Sequence, residues 1–75
     1  MKLKNIKVGD PVRVRKNQLD TGRTFHERYH GSVGTVDYIY IDGDINVMFT
    51  DGTWDYGHHT QLKRVKEKHS LRLRM

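Results

Sequence analysis

Arg13, Arg15 and Lys16 lie near one end of the chain, and Lys63, Arg64 and Lys66 near the other. Cations gathered in this way are the side chains that neutralise phosphates and release counterions from a nucleic acid. The wider charge pattern has the same shape. Residues 1–16 carry six basic side chains against Asp10, and residues 61–75 carry six against Glu67. Residues 32–60 hold five aspartates and no lysine or arginine, within a net charge of +5 over 75 residues. Tyr38 and Tyr40 are two residues apart and share one face of any strand that contains them; exposed rings of this kind stack on bases. Phe25 and Tyr29 fall in a polar stretch and either offer a second, protein-binding set of aromatics or simply pin that stretch down.

Other chemistry finds less support. His26-x-x-x-His30 and His58-His59 are zinc-ligand residue types, but i, i+4 spacing converges only on a helix, and adjacent residues of a strand point to opposite faces. No metal site and no cofactor are expected. There is no cysteine, no Gly-x-Ser-x-Gly elbow and no phosphate loop, and the aspartates sit where turns explain them, so no enzyme is expected. Without cysteine, neither a disulfide nor a zinc ribbon can stiffen so short a chain. Its stability must come from a compact hydrogen-bonded sheet. No stretch approaches the roughly 20 apolar residues of a membrane span, and the basic start has no apolar run behind it. A soluble cytoplasmic protein is the expectation.

The elements that must position these residues are short strands. Pro11 to Arg15 alternates apolar and charged, the period of a half-buried strand, after the turn Val8-Gly9-Asp10. Residues 16–31 show neither period and read as a long loop. Residues 32–41 are rich in β-branched and aromatic side chains, and 45–49 alternate again. Asp42-Gly43 and Asp51-Gly52 mark tight hairpins. Thr53 to Tyr56 supplies a fourth strand, and Leu62 to Val65 a fifth. Read as a two-residue loop, Asp42-Gly43 sets Tyr40 opposite Ile45 and buries the tyrosines. A one-residue slip exchanges the two sets. Read the same way, Asp51-Gly52 sets Trp54 opposite Phe49 and Tyr56 opposite Val47, which makes both core residues.

Ile6-Lys7-Val8-Gly9-Asp10-x-Val12-Arg13-Val14, with Gly31-x-x-Gly34-x-Val36-x-x-Ile39 and later Val47 and Phe49, resembles the KOW-type barrels of ribosomal and transcription proteins. Val47-x-Phe49-x-Asp51-Gly52-Thr53, with Leu62 beyond it, is similar to Tudor and Agenet barrels. The KOW-like spacing of Val36 and Ile39 implies the opposite face for Tyr38 and Tyr40 from the one that a two-residue loop gives. Both resemblances imply an SH3-like barrel, and with the elements above the expectation is an all-β, five-stranded one over residues 1–65, with a basic tail over 66–75 and a long loop after the first strand that departs from KOW units. In such a barrel the first and last strands are neighbours, so Arg13, Arg15, Lys16, Lys63, Arg64 and Lys66 are expected to converge on one face, with the aspartates turned away. The expected partner is DNA or RNA, held with low sequence specificity. The alternative is a protein partner, bound through Phe25, Tyr29 and other aromatic residues.

Overall fold

A computed structural model describes residues 1–16 and 23–65. The basic tail, Lys66 with it, and the middle of the long loop lie outside those residues. Five antiparallel strands form one sheet: β1 (Pro11–Val14), β2 (Val33–Ile39), β3 (Asp44–Phe49), β4 (Trp54–His58) and β5 (Leu62–Arg64). Their spatial order is β4-β3-β2-β1-β5. This is the all-β, SH3-like arrangement expected from the sequence, but among the described residues no ladder joins β4 to β5, so the sheet is not closed. There is no α-helix in these residues; single 3-10 turns occupy Leu3–Asn5, Glu27–Tyr29 and His59–Gln61.

Alternation builds the core. Val12 and Val14 of β1 turn inward with Val36, Ile45, Val47, Phe49 and Leu62, and Ile6 closes one end. Both hairpins are one residue longer than two-residue loops. The Tyr40 N–H donates to the Asp44 carbonyl (2.9 Å) and the Gly43 N–H to the Tyr40 carbonyl (3.1 Å), leaving Ile41-Asp42-Gly43 as the loop. In the second hairpin the Phe49 N–H donates to the Thr53 carbonyl (2.8 Å) and the Gly52 N–H to the Phe49 carbonyl (3.0 Å). In each, glycine takes the third loop position with positive φ, +96° at Gly43 and +89° at Gly52. In each, the aspartate before it accepts from the N–H two residues on, at 3.0 Å for Asp42 and 2.9 Å for Asp51.

That extra residue decides the faces. Ile39 pairs with Ile45 and Met48 with Trp54. Between Val36, which pairs with Val47, and Tyr38, which pairs with Asn46, the register shifts at Asp37. This β-bulge lets Val36 and Ile39, three residues apart, both face the core. Tyr38 and Tyr40 therefore lie outside, resolving the open alternative. The expectation that Trp54 is a core residue is corrected: it lies on the outer face, 56% exposed. Tyr56, opposite Asn46 rather than Val47, is half-buried on that same face.

The loop's aromatics go the other way. Phe25 is 1% exposed and packs onto Gly57, where a Cβ would approach the Phe25 ring to 2.6 Å. Tyr29 stacks on Phe49 with ring centroids 4.1 Å apart, and its hydroxyl donates to the Thr53 hydroxyl at 2.8 Å. Both residues were candidates for a protein-binding surface and are instead core. The reason is hydrophobic: a small open sheet leaves its inner face uncovered, and these two rings cover it. The segment they anchor runs beside β4. The His58 N–H donates to the Arg23 carbonyl (2.8 Å), and the Arg23 Nε to the Tyr56 carbonyl (3.0 Å). Buried Gln61 holds the segment from below, its Oε1 accepting from the Phe25 N–H at 2.8 Å.

Candidate functional site

The outer face of β2, β3 and β4 carries cross-strand rows that follow from the register. One row is Thr35, Met48 and Trp54; the next is Tyr38, Asn46 and Tyr56. Exposed Tyr40 continues the β2 edge of this face. Here Asp37, Tyr38, Tyr40, Asn46, Met48 and Trp54 line an open groove of about 550 Å³. Its two tyrosines are in contact. Tyr38 and Tyr40 meet edge to face at 4.9 Å, and Tyr40 lies 5.5 Å from Tyr56. The far side of Tyr56 is covered by the Arg23 guanidinium, 3.8 Å from the ring centroid, which also pairs with Asp55 at 3.6 Å.

At the floor of the groove, Asn46 is 7% exposed and donates its Nδ2 to Asp37 Oδ2 at 3.2 Å. A carboxylate only accepts, so the amide nitrogen must face Asp37 and the carbonyl oxygen must face elsewhere. That buried Oδ1 has no hydrogen-bond partner among the described residues. Asp37 itself makes no ion pair among the described residues.

The cations of the chain ends are partly brought together. Arg13 stands directly opposite Lys63 across the β1–β5 ladder, and both are exposed with Arg15 and Lys16. Arg64, which pairs with Val12, lines a surface pocket with Arg13 and Lys63 but also meets Asp10 at 3.4 Å. The guanidinium groups also bind their own chain. Arg13 Nη1 donates to the Gly31 carbonyl at 2.7 Å, and Arg15 Nε to the Leu62 carbonyl at 3.4 Å. The Met1 ammonium shares that Leu62 acceptor at 2.7 Å; burial, and then the nearby Arg15 charge, push it below its ordinary value.

The histidines do local work. His26 Nδ1 accepts from the Arg28 N–H at 3.0 Å and caps the 3-10 turn. His58 and His59 do not point apart as strand neighbours would, because β4 ends at His58 and a 3-10 turn begins; their rings lie 4.3 Å from each other. His59 Nδ1 faces the Met1 carbonyl at 2.7 Å.

The groove was only half visible from the sequence. Tyr38 and Tyr40 stood out by type and spacing, whereas Trp54, Met48, Asn46 and Asp37 did not. The signal that could have found them is the Val36–Ile39 spacing itself, since two inward residues three apart require an irregularity between them.

The family model of the Mind bomb SH3 repeat domain matches residues 6–59, a span that includes β1 to β4 and every residue lining the groove. The family matched is SH3-like, as the sequence resemblance implied, but is neither KOW nor Tudor. No curated protein and no solved structure matches the chain. Matched over most of its length, this chain belongs to the Mind bomb SH3 repeat family.

Proposed function

We propose that this chain is a non-enzymatic protein-interaction module, and that its partner lies in the aromatic groove on the outer face of β2, β3 and β4. The observation that carries this reading is the set of large side chains left outside the core on one face: Tyr38, Tyr40, Met48 and Trp54. Contiguous exposed apolar surface is uncommon on small soluble domains and marks places where partners sit. Tyrosine and tryptophan are enriched among the residues that dominate binding energy. Membership of an SH3 repeat family supports the same reading.

Trp54 is the sole tryptophan, so its emission reports on the groove alone. Peptides selected from a random displayed library against the intact chain should shift Trp54 emission to the blue as the indole leaves water. Tyr38→Ala and Trp54→Ala should each weaken them by about 1–3 kcal/mol, while Lys63→Gln leaves them unchanged. Selected peptides that bind both aromatic variants normally would exclude the groove.

A second reading, nucleic-acid binding through Arg13, Arg15, Lys16 and Lys63, draws on the Arg13–Lys63 pairing. Weighing against it, the Arg13 and Arg15 guanidiniums already donate to carbonyls of this chain, and Arg64 pairs with Asp10. Fluorescence anisotropy with labelled DNA and RNA over a salt series tests it. A steep linear fall of log affinity with log salt, flattened by Arg13→Ala/Arg15→Ala, is the expected signature.

A further inference from the structure

Resting on the groove as the interaction surface, we propose that its partner is a cationic protein segment that presents arginine or lysine to the tyrosine–tryptophan wall beside Asp37. Three observations converge on that chemistry. Residues 32–60, which supply the whole groove, carry no lysine or arginine, and one of their five aspartates, Asp37, lines it. Among the described residues the Asp37 carboxylate, exposed at the bulge, has no cation of its own.

The lining of the groove leaves that carboxylate unanswered. Asp37, Tyr38, Tyr40, Asn46, Met48 and Trp54 include one ionised side chain, Asp37, and no lysine, arginine or histidine. Arginine and lysine side chains are donors without an acceptor, which suits a carboxylate that only accepts.

The third observation is the cation already present. Arg23 lies over the Tyr56 ring at 3.8 Å and pairs with Asp55 at 3.6 Å. This combination of ring face and neighbouring carboxylate is the arrangement that attracts a guanidinium. Tyr56 is linked through Tyr40 to Tyr38, and Tyr38 is followed by its own carboxylate at Asp37. The protein's own arginine occupies one end of the tyrosine strip, and the groove repeats the same chemistry at the other end for a cation from outside.

The test is a titration of the 15N-labelled full chain with three capped Gly/Ser nonapeptides bearing two central arginines, two glutamines or two glutamates. The arginine peptide should move the Trp54 indole N–H and the Asn46 side-chain amide, and should bind more weakly as salt is raised. Asp37→Asn, which keeps the shape and removes the charge, should weaken it by about two- to fivefold; one exposed charge contact is worth that factor. If the substitution disturbs the fold, the salt dependence of the unaltered chain decides in its place. Equal binding of the glutamine peptide, or preference for the glutamate peptide, overturns the cationic partner. If none of the three moves these resonances but library-selected neutral peptides do, the cation fails and the groove stands. If neither set does, both readings fail together. A single-stranded oligonucleotide that moves the same two resonances also overturns the proposal.

Discussion

Residues of one type divide here by face, and the division can be measured. Phe25 and Trp54 are both large aromatics in polar surroundings of the sequence, yet one fills the space above Gly57 and the other lies in water. Phe25→Ala should cost about 3–5 kcal/mol in urea unfolding followed by circular dichroism. Trp54→Ala should stay within about 1 kcal/mol of the unaltered chain, because little burial is lost. Asp51 illustrates the same economy in a turn. Its carboxylate accepts from the Thr53 hydroxyl at 2.6 Å and the Thr53 N–H at 2.9 Å, and these bonds hold it below the ordinary value of 3.8. The native state thus binds fewer protons than the unfolded one in this window. Its stabilising contribution is complete above pH 3.8 and fades as pH falls through the lowered native value. Asp51→Ala should remove that component of the acid dependence, seen as a smaller change in urea midpoint between about pH 2 and pH 6.

The elements place the functional side chains through two departures from regularity, the three-residue hairpins and the bulge at Asp37. Deleting Asp37 should leave Val36, Tyr38 and Ile39 in simple alternation, with Ile39 still facing Ile45. The variant is expected to fold with the Ile39–Ile45 contacts intact in nuclear Overhauser spectra, yet to lose the Asn46 partner and groove affinity. Unfolding, or an inverted face for Tyr38 and Tyr40, would sink this account of the bulge. These two departures also explain what could be read from the chain beforehand. The strands themselves follow from alternation and Asp-Gly signals, so β1, β3 and β5 fall where the pattern puts them. Asp-Gly suits a two-residue loop and a three-residue loop alike, and periodicity carries no information on which is used. The error of one residue moved Trp54 from core to surface. Phe25 and Tyr29 stood between two readings, binding surface and loop anchor, for another reason. A loop without period gives no face, and the burial of those rings depends on Gly57 and Phe49, thirty-two and twenty residues further along.

For the whole molecule, charge separates by face. Arg13 and Lys63 stand opposite each other, and like charges in that position repel. Lys63→Gln is expected to raise stability by about 0.2–1 kcal/mol at low ionic strength, with the gain disappearing at high salt. No gain at low salt would mean that water already screens the pair. The groove, by contrast, is lined by one carboxylate, Asp37, and no lysine or arginine.

The Arg23–His26 segment along β4 has a consequence of its own. An uncovered sheet edge is a template on which further strands add, copy upon copy. Here the His58 N–H and the Tyr56 carbonyl are already taken by Arg23, and the Tyr56 N–H by the Asp55 carboxylate at 2.8 Å. Copies crowded in a concentrated solution meet a β4 margin whose His58 and Tyr56 groups are already satisfied, which disfavours fusion into fibrils through that edge.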